Sequence, residues 1–254
     1  MFRFFRKIRL KPFHENKVTR YILYGLGEII LIVIGILIAM EIGNWNEQRK
    51  IRQLEQVYLE GLRSEFGQNK TKLENLISVN RLNYEEARQI SHFISEGEFP
   101  DEKQLSKHLY NAFSYEISYN PNNSLLNEII SAGYLKYISN GVLRQELTSW
   151  ESVIQGIHRQ EASLRDQREN VIDIFRSGAG SMRTILEGAG VAVEEMGLVK
   201  SDKSISNVEV LRSREFENSL LPYILTGMAT ETSHYNPLLD KINHILKLID
   251  AETE

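Results

Sequence analysis

Glu28 is an acid embedded in the most hydrophobic stretch of this 254-residue chain, YILYGLGEIILIVIGILIAMEI, Tyr21 to Ile42. A charged side chain deep in hydrocarbon costs roughly 2.5–3.5 kcal/mol on insertion scales, so it calls for a partner, a proton or a short path to water. On a wheel of about 100° per residue, Tyr21, Tyr24, Gly25, Gly35, Ala39 and Gly43 fall within about 60° of Glu28. Gly35, Ala39 and Gly43 form a small-xxx-small ladder, the spacing that lets two membrane helices approach backbone to backbone. The opposite face is Leu, Ile and Val. The pattern reads as a helix–helix contact face with Glu28 turned into it, protonated or hydrogen-bonded to Tyr24 or to a partner. The plainer alternative is an ordinary span whose acid snorkels to the interface.

Chemistry elsewhere in the chain is sparse. There is no H-E-x-x-H, G-x-S-x-G, P-loop or dinucleotide fingerprint. Asp240 and His244 stand one helical turn apart, a spacing a metal could use but one that more often marks a solvated contact. Glu85-Glu86 and Glu194-Glu195 read as solvated faces. With no cysteine, disulfides and thiolate chemistry are excluded. No enzymatic activity, cofactor or metal is expected.

The uninterrupted apolar run Ile29 to Met40 is too short for a bilayer, at about 18 Å of helix against about 30 Å of hydrocarbon. Tyr21 to Ile42 gives about 33 Å, which crosses. A cleaved signal peptide would end in a small-residue site, whereas Ala39-Met40-Glu41 runs on into a polar helix. Arg3, Arg6, Lys7, Arg9, Lys11, Lys17 and Arg20 precede the span, opposed by Glu15 alone; only Arg49, Lys50 and Arg52 follow closely. Lys and Arg are retained on the cytoplasmic side, so the expected N-terminus is inside and residues 43–254 are outside. Trp45, Tyr21 and Tyr24 suit the two interfaces, and the leader bases suit anionic lipid headgroups. Seven of the 30 Lys and Arg but one of the 34 Asp and Glu lie in the first 20 residues, leaving the rest at a net charge of −10. An acidic exterior argues against nucleic acid as a partner.

Beyond the span, Ile51, Leu54, Tyr58, Leu62, Phe66, Leu73 and Leu76 or Ile77 recur on one helical face. The spacing predicts a long helix over 43–95, with Gly61 and Gly67 as possible bends. Gly97 and Pro100 stop it, and Asp101 with Gln104 suits a capping box. Ser114 to Ser124 reads as loop, Leu125 to Ser131 as helix, and Gly133 as its C-terminal residue. Two 4-3 seams follow: Leu143, Leu147, Trp150, Ile154, Ile157, Leu164, Val171 and Phe175, interrupted by Glu161 and Arg168; and Leu221, Leu225, Met228, Tyr235, Leu239, Ile242, Leu246 and Ile249. Thr232 is inserted in the second, and Pro237 restarts a helix after Asn236. The polar seam positions favour packing within one bundle over a coiled coil between chains. Residues 178–207, rich in Gly and Ser, form a connector. The expected architecture is all-α: a leader over 1–20, a transmembrane helix over 21–42, a juxtamembrane helix over 43–95 and an antiparallel helical bundle completed by 96–254.

Gly27 to Lys50 (GEIILIVIGILIAMEIGNWNEQRK), preceded by FRFFRKIR, resembles an uncharacterised family of short single-pass inner-membrane proteins of Bacteroidota. Asn120 to Leu147 resembles the same family's helix-bridge-helix element, through Ile129, Ile130, Gly133, Leu135 and Ile138. The resemblance implies a bacterial inner-membrane location with a periplasmic C-terminal domain. No role for Glu28, Asn44, Trp45 or Asn46 comes with it. The expected function is a membrane-anchored scaffold that contacts lipid and binds itself or another membrane or periplasmic protein. The alternatives are a subunit of an ion-driven or transport complex with Glu28 as its acid, or a periplasmic ligand sensor.

Overall fold

The computed structural model describes residues 17–202 and 204–253, and the leader bases Arg3, Arg6, Lys7, Arg9 and Lys11 lie outside them. All-α is what the structure shows, with no strand among the described residues. Contacts divide the chain after Leu54 into two units.

Helix α1 (Lys17–Glu96) is continuous through Gly61 and Gly67, the two positions named as possible bends. Gly61 has a packing role: a Cβ there would meet Leu125 Cδ2 at 2.4 Å. Gly97 ends the helix at φ 70°, a left-handed conformation that favours glycine. Within the first unit, Tyr21 to Trp45 is exposed apart from the half-buried Gly25 and the undescribed side chain of Leu23.

The second unit is an up-and-down bundle whose second stroke is broken. With α1 taken as up, α2 (Glu102–Phe113) runs down beside it, so that His108 meets Glu86 and Tyr115 then meets Asn83. A loop, α3 (Ser124–Ser131) and a 3-10 turn (Tyr134–Tyr137) continue the descent, bringing Asn122 to Asn69, Leu125 to Glu65 and Ser139 to Glu55. Gly133, at φ 70°, makes the corner after α3. Helix α4 (Gly141–Arg176) climbs again, capped by Asn140 Oδ1, which accepts from Val142 N and Leu143 N at 3.0 Å each. The connector holds α5 (Met182–Gly188) and α6 (Val191–Glu194), with α5 packed on α2. Helix α7 (Arg214–Ala229), a π-helical turn (Thr230–Tyr235) and α8 (Asn236–Thr253) descend. They pair Gly227 with Asn80, Lys241 with Glu146 and Asp250 with Arg63.

The apolar positions of the α4 seam are all buried, and Trp150 meets Phe66 edge-on at 4.9 Å. The α7 part of the second seam has the opposite orientation to that expected. Leu221, Leu225 and Met228 are exposed, while Leu220, Tyr223, Ile224 and Gly227 face the core. Tyr84 is the reason: a Cβ on Gly227 would stand 3.0 Å from its Cβ, so the helix presents its smallest residue there. The π-helical turn then absorbs the extra residue around Thr232. It shifts the phase so that Tyr235, Ile242 and Ile249 are buried as the pattern expects, whereas Leu239 and Leu246 are only half-buried and Leu238 and Ile245 take the core places between them.

Candidate functional site

The span stripe is set out by α1 alone. Tyr21 and Tyr24 are 79% and 67% exposed, and Glu28, Gly35, Ala39 and Gly43 are also exposed. A Cβ built on Gly25, Gly35 or Gly43 would meet nothing within 4 Å. Among the described residues, these glycines therefore meet no packing partner. Trp45 is exposed just past the apolar run, with the Arg49 guanidinium 5.9 Å from its ring centre, a cation–π contact. Lys17 and Arg20 lie on the same helix. Among the described residues, α1 is the one helix long and apolar enough to cross a membrane by length and composition.

A second constellation escaped the sequence reading. Glu55, Glu65, Asn69, Asn80 and Asn83 are buried polar residues of α1, and about 100° per residue puts them within an 80° sector. Four of them answer a break in the descending stroke. Asn83 donates to Tyr115 O at 3.2 Å. Asn69 donates to Asn122 O and accepts from Asn122 N, both at 2.7 Å. Glu65 accepts from Leu125 N at 2.8 Å and Leu126 N at 3.1 Å, taking the free N–H groups that open α3. Glu55 accepts from Ser139 N at 2.6 Å. The fifth, Asn80, donates to Gly227 O at 2.9 Å. A broken helix leaves backbone groups without intrahelical partners, and burying one unpaired costs about 1–3 kcal/mol. The polar face of α1 supplies those partners.

Glu161, one of the two polar interruptions of the α4 seam, does the same at the centre of the bundle. Its Oε1 accepts from Tyr119 N at 2.7 Å and from Tyr235 Oη at 2.6 Å. Tyr119 Oη in turn donates to Asn69 O, and His158 Nε2 donates to Tyr119 O at 3.1 Å. Burial pushes the Glu161 carboxyl above its ordinary 4.5, partly offset by the Tyr235 and Tyr119 donors. Burial beside this carboxylate also raises the Tyr235 hydroxyl. Because the folded chain holds the Glu161 proton more tightly than the unfolded chain, this group's contribution to stability falls as pH rises from about 4.5 through the folded value. In urea unfolding from pH 4.5 to 8, Glu161→Gln, which does not titrate, should therefore gain on the wild type as pH rises. A difference that stays constant with pH would refute this.

Asp240 and His244 are both exposed, and the described residues hold no group of three or more His, Cys, Asp or Glu that could bind a metal. Glu194 and Glu195 are exposed as expected. Glu86 is not a free surface acid: it meets His108 Nδ1 at 2.6 Å, with both side chains 20% exposed.

Residues 28–171 match the model of a Family of unknown function (DUF6090), a range that takes in nearly all of both stretches carrying the resemblance. No curated protein and no solved structure matches.

Proposed function

The chain belongs to this family of unknown function, and we propose from its architecture that it is a single-pass anchor of the bacterial inner membrane, as in Bacteroidota, that self-associates through its span. The leader lies in the cytoplasm and the helical bundle in the periplasm, where it serves as a non-enzymatic scaffold for a membrane or periplasmic protein. One observation supports the reading: Gly25, Gly35 and Gly43 of the stripe lie on a largely exposed apolar helix, and nothing among the described residues stands within 4 Å of the Cβ each of them lacks. Helix association in lipid depends on close backbone approach, because burial of apolar surface from lipid gives no hydrophobic gain. A second copy of the stripe would supply the missing contact and would bring two Glu28 side chains together, with Tyr24 four residues away on the same face.

The test combines topology and association. The chain lacks cysteine, so single cysteines at Phe5 and Gln145 report without background. A membrane-impermeant maleimide added to spheroplasts should label Gln145→Cys and spare Phe5→Cys. In mild detergent, native mass spectrometry should show an oligomer that Gly35→Leu weakens about tenfold, the loss of about 1.4 kcal/mol of helix contact. A strict monomer, indifferent to Gly35→Leu and with no protein co-purifying, overturns the reading.

A further inference from the structure

Arg168, the other polar interruption of the α4 seam, is not consumed by the packing that explains Glu161. Its side chain is only 16% exposed. Nε donates to Phe113 O at 2.7 Å, at the last residue of α2, and Nη1 donates to Glu169 Oε1 at 2.6 Å. Nη2 has no acceptor among the described residues, although a guanidinium offers five donors in a planar fork. Arg168 lines a cavity of about 340 Å³ between α2, α4, α5 and α6. The rest of the wall is chiefly apolar, including Leu109, Phe113, Ile172, Phe175, Met182 and Ile185. Met182 is 37% exposed, while Phe175 and Ile185 are buried. The volume lies at the lower end of the range for small-molecule sites, and a mostly apolar chamber with a few oriented polar groups is their usual chemistry.

We infer that this cavity binds a single-chain anionic amphiphile, with the carboxylate on the free Nη2 edge of Arg168 and the alkyl chain against Phe175, Ile172 and Ile185. Charge complementarity selects the head group. Arg176, also in the wall, is 54% exposed and turns Nη1 to Glu169 and Asp173, whereas Arg168 is 16% exposed, so Arg168 supplies the buried donor. The small volume favours one short chain over a two-chain phospholipid. The site is independent of self-association through the span, and either can fail without the other.

The test uses the full chain in lipid nanodiscs with two photoreactive probes, a diazirine-bearing decanoic acid and the matching decanol, and peptide mapping of the adducts. The acid should label the α4 and α5 segments containing Ile172, Phe175, Met182 and Ile185, and excess plain decanoate should suppress that labelling. Arg168→Gln should cut labelling by the acid about tenfold, as loss of a charge-assisted bond implies, and leave labelling by the alcohol unchanged. Since Arg168 also holds Phe113 O, Met182→Trp at the exposed rim gives a second arm, expected to reduce labelling by both probes without changing the melting temperature. Adducts confined to residues 21–45, equal labelling of the cavity by acid and alcohol, or indifference to Met182→Trp would each overturn the assignment.

Discussion

Ending the chain after Val171 is expected to abolish cooperative folding of the helical bundle, although residues 28–171 are the part that matches the family. The α4 seam turns Leu143, Leu147, Trp150, Ile154 and Ile157 into the core, and α4 packs against α7, the π-helical turn and α8. All three lie beyond that boundary. Truncation removes Phe216, Leu220, Tyr223, Tyr235, Leu238, Ile242, Ile245 and Ile249, each no more than 2% exposed. At about 1.5–3 kcal/mol for each buried side chain, the loss matches or exceeds the roughly 5–15 kcal/mol that keeps a domain folded. Glu161 would also lose its Tyr235 donor, and Asn80 its acceptor at Gly227. Circular dichroism melts of chains 1–254 and 1–171 in the same detergent should show a sharp transition for the first and a gradual loss of helix for the second. An equally sharp transition in the truncated chain would mean that the matched region folds by itself.

Helix identity was legible wherever periodicity and termini agreed: the long α1, the Asp101 cap that accepts from Gln104 N at 2.8 Å and the corner at Gly133; the restart expected at Pro237 is instead a continuous helix carried through the π-helical turn. The inserted Thr232 marked a real change of helical geometry. The phase of α7 was not legible, because Leu220, Leu221, Ile224 and Leu225 offer two apolar faces. Tyr84, 143 positions before Gly227 in the chain, decides between them. The polar face of α1 was hidden for a related reason. Glu and Asn on a long helix ordinarily mean solvent, and their partners Tyr115, Asn122, Leu125 and Ser139 stand 32 to 84 residues away. Only the knowledge that the second stroke is broken reveals that these side chains are required inside. The stripe around Glu28 was visible at once, since every residue in it comes from one helix.

Asn69→Leu is expected to be the most damaging conservative change in the polar face of α1. Asn69 is fully buried, and its amide makes two hydrogen bonds of 2.7 Å with the backbone of Asn122. Leucine fills a similar volume, so the cavity contribution is small and the polar one dominates. Asn122 would then keep an N–H and a C=O with no partner from α1, at about 1–3 kcal/mol each, or roughly 2–6 kcal/mol together. The loop cannot simply move away to find water. Tyr119 is held by Glu161 and by Asn69 O, Asn123 accepts from Trp150 Nε1 at 2.9 Å, and the N–H groups of Leu125 and Leu126 are bound by Glu65. Asn69→Asp separates the two bonds: it keeps an acceptor for Asn122 N and loses the donor to Asn122 O. Its cost should therefore fall between wild type and Asn69→Leu at neutral pH, and narrow at acid pH, where a protonated carboxyl can donate. Urea unfolding of the three proteins measures the order, and hydrogen exchange at Asn122, Leu125 and Leu126 shows whether the loop opens before the bundle does. If Asn69→Leu were as stable as the wild type, the loop would be held by its own turn chemistry, and the polar face of α1 would be a consequence of the broken stroke rather than its support.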